Sequence, residues 1–160
     1  MIAIIAEKPS LARNIVAGLG QMNKKNGYFE NSEYIVTWAF GHLFSLEDIE
    51  HYSPSGSGRW CMDNLPCFPE KFDYKLRSGA DGRADDGIER QFNIIKKLCL
   101  RDDVDEIVNA GDADREGEII IRLCIDKTGV TGKRRTRMWL PDQTPETIRE
   151  SAEALKDEKE

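Results

Sequence analysis

Residues 106–118 read Glu106-Ile107-Val108-Asn109-Ala110-Gly111-Asp112-Ala113-Asp114-Arg115-Glu116-Gly117-Glu118. The first five make a short, mainly apolar run that predicts a buried strand from about Glu106 to Ala110. A polar turn, Gly111 to Glu116, follows, and Ile119, Ile120, Leu123 and Cys124 then recur at helical spacing up to a stop near Gly129. A strand that turns through acids straight into a helix belongs to an α/β unit, in which ligands sit beyond the carboxyl ends of parallel strands. The acids have the spacing for one job there. Extended residues at i and i+2 project to the same side about 7 Å apart, so Asp112 and Asp114 can address one hard cation, with Glu116 as a third oxygen donor.

The pattern alone is weak, since at this acid content about five acid-x-acid pairs arise by chance. Its setting lends it weight, because the acids precede a helix N-terminus, which is short of acceptors and attracts anions. An EF-hand loop is excluded. Asp112, Asp114, Glu116 and Gly117 match its first, third, fifth and sixth positions, but the twelfth is Leu123 where a bidentate Glu is needed.

Outward from this unit the same alternation continues in both directions. Ile2 to Ala6 predicts a buried strand, and Pro9 with Leu11, Ile15, Val16 and Leu19 predicts a helix up to Gly20. Tyr28 to Glu30 and Tyr34 to Ala39, around Asn31-Ser32, predict a hairpin. Gly41 to Pro69 and Ser78 to Gly87 read as loops. A helix is expected from about Asp86 to Leu100, a strand at Arg135 to Leu140, and a last helix after Thr144-Pro145. The fold class is α/β, a mainly parallel sheet flanked by helices with an inserted β-hairpin, in one domain over residues 1–155 and an unstructured tail at 156–160.

Composition narrows the chemistry. The chain has 160 residues, 39% hydrophobic and 32% charged, and holds no apolar run of the ~18 residues a membrane span requires. The Met1-Ile2-Ala3-Ile4-Ile5-Ala6-Glu7 start lacks the basic region of a signal peptide. Four cysteines without a C-x-x-C pair, and only two histidines, argue against structural zinc and for free thiols. The net charge of -6 is local: residues 102–118 hold eight acids and one base, and the remainder is nearly neutral. Such a window is a solvated acidic edge or a metal site.

Glu7-Lys8-Pro9-Ser10, at the end of the first strand, supplies a further acid and a cation able to bind phosphate as a point charge. No glycine-rich phosphate loop of either common type is present. Lys133, Arg134, Arg135 and Arg137 form the one basic cluster, whose alternate members can face phosphates or merely guard a strand edge. Trp38, Trp60 and Trp139 can stack bases, although packing is the simpler reading.

Four blocks together carry a resemblance. Ala6-Glu7-Lys8-Pro9-Ser10-Leu11-Ala12-Arg13, Trp38 with Gly41-His42-Leu43, Arg59-Trp60 with Leu65-Pro66 and Pro69-Glu70-Lys71, and Gly111-Asp112 with Asp114-Arg115-Glu116-Gly117-Glu118 resemble the Toprim domain of type IA DNA topoisomerases, in their topoisomerase III branch. Two departures are visible: Ala113 stands where many relatives have proline, and the acidic segment Asp81 to Asp86 does not align with the family's pattern.

The resemblance implies a Rossmann-like Toprim fold in which Glu7, Asp112, Asp114 and Glu116 hold Mg²⁺ and, with Lys8, form the catalytic set. It implies DNA contacts, single-stranded by preference, through Lys8, Arg115, Arg135, Arg137 and His42. Its implied partners are DNA and the remaining domains of the same topoisomerase, in the cytoplasm, at the nucleoid in a bacterium. Family members are several times longer and keep their nucleophilic tyrosine in a later domain, so the chain reads as an excised or truncated domain, inactive alone. Tyr28, Tyr34, Tyr52 and Tyr74 are expected to pack. A stand-alone Toprim nuclease or primase-like enzyme, and a non-catalytic nucleic-acid binding module, remain open.

Overall fold

The computed structural model describes residues 1–52, 62, 65–79 and 85–158. Strand β1 (Ile2–Ala6) lies at the centre of a seven-stranded sheet, between β4 (Tyr34–Trp38) and β7 (Glu106–Ala110), and is parallel to both. A fourth parallel strand, β8 (Arg134–Arg137), pairs with β7. The hairpin strands β2 (Asn23–Lys25) and β3 (Tyr28–Glu30) extend the sheet beyond β4, and β9 (Lys156–Asp157) closes the other edge antiparallel to β8. The mainly parallel α/β fold with its inserted hairpin is therefore present.

Alternation along β1 explains the layers. Ala3 and Ile5 point into one core with Ile35 and Ile107, covered by α3 (Asp86–Cys99) and α4 (Arg115–Thr128) through Phe92, Ile95, Ile121 and Cys124. Ile4 and Ala6 point into the other, covered by α1 (Pro9–Leu19) and α5 (Pro145–Glu153) through Leu11, Ile15 and Ile148. A sheet apolar on both faces needs a helical layer on each, as short runs such as Ile2–Ala6 already imply. Burial pushes the Cys99 thiol up to about 12 and raises Cys124 as well, so both behave as small apolar core residues.

Helix ends follow side-chain chemistry. Asp85 accepts from the amides of Gly87 and Ile88, Thr144 from that of Thr147, and Pro9 and Pro145 sit where a missing N–H costs nothing. Gly129 closes α4 at φ 73, in the left-handed region glycine enters freely.

The short elements escaped the sequence pattern. Strands β5 (Phe44–Leu46) and β6 (Tyr74–Leu76) pair in a separate two-stranded sheet, with helix α2 (Ile49–Tyr52) beside it, in a stretch read mostly as loop. Each is three or four residues long, too short to show a period. Strand β8 stops at Arg137, because Met138 and Leu140 leave the ladder and enter the α1–α5 core. At the end of the chain, Lys156 pairs with Arg137 in register, where an unstructured tail was expected. Arg59, Trp60 and the Ser53 to Gly58 loop lie outside the described residues, as does most of the acidic segment beginning at Asp81. No helix among the described residues is long and apolar enough to cross a membrane.

Candidate metal and phosphate site

Strands β1 and β7 run parallel with Ala6 opposite Ala110, so their carboxyl ends deliver Glu7 and Gly111-Asp112 side by side. The Asp112 amide donates to Glu7 Oε2 at 3.2 Å, and Lys8 Nζ donates to Asp112 Oδ2 at 2.6 Å. The hydrogen bond to Asp112 is the main cause of an ammonium pKa above its ordinary value, and burial opposes it. Glu7 and Asp114 add to the attraction. Lys8 also precedes α1 in extended conformation, so α1 and α4 both direct their N-termini at the acid pair. The partial positive charge of two helix ends offsets carboxylate repulsion and favours an incoming anion.

Asp114 is committed to the backbone. Its Oδ1 accepts from the Gly117 amide at 2.7 Å and caps α4, while its own amide donates to Asp112 O at 2.7 Å. Glu116 turns outward, 74% exposed, and its Oε1 lies 3.1 Å from His42 Nε2. His42 reaches it because the Gly41 amide, at φ 68, donates to Glu7 O and brings the Gly41-His42-Leu43 block over the site. Arg115 is exposed beside Glu116 and makes no ion pair among the described residues.

The four acids therefore surround one loop without forming one cage. Among the described residues no three His, Cys, Asp or Glu side chains converge as a ready-made metal cluster. The physical reasons are the capping role of Asp114 and the Glu116–His42 contact. Glu7 and Asp112 remain as adjacent hard oxygen donors with Asp114 next in line. That donor set fits Mg²⁺, which keeps several waters and needs only one or two carboxylates, better than it fits a metal requiring a full protein shell.

What fixes the loop was not visible in the sequence. Asn109, buried at the end of β7, accepts the Gly111 amide on Oδ1 and donates through Nδ2 to Glu118. Arg137 is 8% exposed and donates to the carbonyls of Asn109, Gly111, Asp112 and Met138, at 2.7–3.0 Å. Its Nε lies 2.7 Å from Glu118 Oε2 as an ion pair without an aligned hydrogen bond. Burial pulls this guanidinium below its ordinary pKa, against the upward pull of Glu118.

This placement corrects the basic-cluster expectation. Arg137 is a buried brace under the acidic loop and presents nothing to a nucleic-acid backbone. Arg135 is also committed, to Asp126 at 2.7 Å and Glu158 at 3.5 Å. Lys133 Nζ donates to the Arg101 carbonyl, and Arg134, 63% exposed with Glu106 at 3.8 Å, is the most open of the four. The one sequence signal for the brace was polarity inside the apolar run of β7, at Asn109; Arg137 ends the polar strand Arg134–Arg137 and gave none.

The tyrosines pack. Tyr28 and Tyr34 sit against the two cores, the Tyr52 hydroxyl accepts from the Asp73 amide at 2.7 Å, and Tyr74 lies under Lys127.

Comparison with known proteins agrees with this geometry. The family model described as the Toprim domain matches residues 2–139. The chain is 41% identical over 153 residues to the DNA topoisomerase 3 of Staphylococcus epidermidis, covering 96% of this chain and 20% of that protein. It is 40% identical over 153 residues to that of Bacillus thuringiensis strain Al Hakam, with the same coverage of both. Against that of Staphylococcus haemolyticus it is 38% identical over 157 residues, 98% of this chain and 21% of the other. The chain thus spans about one fifth of the length of these relatives. With acids delivered by the carboxyl ends of neighbouring parallel strands, and a family match running from β1 past β8, the chain belongs to the Toprim domain family.

Proposed function

We propose that the chain is the magnesium-dependent, phosphate-facing domain of a type IA DNA topoisomerase of the topoisomerase III kind. That enzyme cuts one strand through a tyrosine of another domain, passes a strand and religates. The observation that carries this reading is the Glu7–Lys8–Asp112 arrangement, with carboxylates and an ammonium within hydrogen-bond reach at the mouths of two helices. The relatives named DNA topoisomerase 3 supply the reaction class.

In this reading Glu7 and Asp112, assisted by Asp114, hold Mg²⁺, whose chemistry there is to offset charge on the phosphate and the departing 3′ oxygen. Lys8, released from Asp112, meets a phosphate oxygen as a point charge, with the N-terminus of α1 beside it. Arg115, uncommitted at the rim, takes a neighbouring phosphate of the single strand. Glu116 positions His42 over the same opening. Arg135 and Arg137 take no phosphate in this reading. The setting is the cytoplasm, at the nucleoid in a bacterium.

The covalent step needs a nucleophile held in line with the phosphorus, and among the described residues none of the four tyrosines has a hydrogen bond or ring contact to Glu7, Lys8 or Asp112. With labelled single-stranded DNA and Mg²⁺ on a denaturing gel, the 160-residue chain is expected to leave the strand intact. Fusing it to the remaining four-fifths of a relative's polypeptide should produce a 5′-linked protein adduct, which Glu7→Gln or Asp112→Asn reduces at least tenfold. Nicking by the chain alone, or an adduct lost on changing Tyr28, Tyr34, Tyr52 or Tyr74 to Phe, contradicts the proposal; nicking favours a stand-alone nuclease.

A further inference from the structure

We propose that the cavity beside Trp139 is a stacking site for one unpaired nucleobase of a bound strand, an inference that rests on the DNA-directed reading above. The cavity has a volume of about 320 Å³ and is lined by Glu118, Arg122, Arg137, Trp139 and the β9 residues Lys156 and Asp157, with Glu158. That volume lies in the range of small-ligand sites and admits a nucleoside.

Trp139 is the exception in its segment. Its neighbours Met138 and Leu140 are 0% and 5% exposed, whereas its own indole is 44% exposed and faces the cavity. The ring is held in place. The Arg137 guanidinium lies 5.3 Å from its centroid, and its backbone carbonyl accepts from Ser151 Oγ at 2.9 Å. A fixed, half-open indole is a platform that needs no ordering when a base arrives.

The cavity is coupled to the acid pair by one side chain. Arg137 lies over Trp139 while its Nη2 donates to Asp112 O at 2.8 Å. A base on the indole therefore belongs to a nucleotide close to any phosphate held at Glu7, Lys8 and Asp112. The remaining charges argue against a plain phosphate pocket. Arg122 is neutralised by Glu118 at 2.7 Å, and Asp157 and Glu158 bring the acids of the wall to three. Lys156, which makes no ion pair among the described residues, is left to meet the phosphate that flanks the base. Recognition then comes from the aromatic face, which is indifferent to sequence and requires an unpaired base.

The test titrates the 160-residue chain with a short labelled oligothymidylate, following anisotropy and indole emission together. Binding should quench the emission. Trp139→Ala should weaken affinity roughly 5- to 150-fold and remove most of the quenching, while Trp139→Phe keeps most of the affinity. Lys156→Ala should lower the slope of log affinity against log salt by about 0.7. Circular dichroism of each variant establishes that it is folded. Equal binding by wild type and Trp139→Ala, with quenching retained, overturns the stacking site and leaves the DNA reading in place. A wild-type chain that binds no oligonucleotide overturns the DNA reading and this site with it.

Discussion

Arg137→Ala is expected to lower the stability of the chain by about 3–5 kcal/mol, the loss typical of removing one partner from a buried ion pair. The guanidinium donates to four carbonyls around the acidic loop and faces Glu118 at 2.7 Å. Its removal takes one donor from each; Asn109 O keeps the Met138 amide and Asp112 O the Asp114 amide, whereas the Gly111 and Met138 carbonyls lose the guanidinium donor in a place water enters poorly. Arg137→Lys should recover little, because one ammonium cannot span carbonyls that a planar fork reaches at once. Arg135→Ala is the control, since its pair with Asp126 is half open to solvent and such pairs contribute below about 1 kcal/mol. Urea denaturation of the three variants measures the differences. Arg137→Ala as stable as Arg135→Ala would remove the brace from the account.

Gly111→Ala should cost about 3 kcal/mol or more, for a different reason. A Cβ at Gly111 would stand 2.2 Å from Gly117 O and 2.6 Å from its carbonyl carbon, so the loop would have to lift off the first turn of α4. Neither of the contacted atoms belongs to a side chain that can swing aside, and overpacking against backbone lies at the costly end of such substitutions. Lifting the loop also carries Asp112 away from Glu7. Gly129→Ala is the comparison: nothing lies within 4 Å of its Cβ, and only the left-handed φ of 73 opposes it, a cost of about 1 kcal/mol. Thermal unfolding of both variants decides the matter, and equal losses would contradict the close packing of Gly111 on Gly117.

The strands β1 and β7 were legible in the sequence because each is a short apolar run with no competing helical period, and the structure places them where that pattern does, at Ile2–Ala6 and Glu106–Ala110. Although α4 begins at Arg115, inside the stretch read as a turn, the helix starts at Pro9 and Thr144-Pro145 were equally plain. The three-residue strands β5 and β6 were not, since three residues carry no period and their pairing depends on residues about thirty positions apart. In the site, proximity of Glu7 to Asp112 followed from parallel pairing of two recognisable strands. The fate of Asp114 and Glu116 did not. Spacing at i and i+2 assumes an extended chain, but α4 begins at Arg115, one residue after Asp114. The helix turns Glu116 away from its neighbours and draws Asp114 into its cap. Arg137 was misjudged on the same footing, because a charged residue at a strand end reads as exposed until the carbonyls it serves, up to 28 positions away, are seen around it.

The most direct test of the central claim is a magnesium titration of the ¹⁵N-labelled chain followed by NMR. The account predicts amide shifts concentrated at Glu7, Lys8 and Gly111 to Glu116. It also predicts about 2.7 kcal/mol of added stability at a hundredfold excess over the dissociation constant, and loss of both effects in Asp112→Asn. Shifts scattered over other acidic surfaces such as Asp102 to Glu106, or a response that Asp112→Asn leaves unchanged, would contradict it.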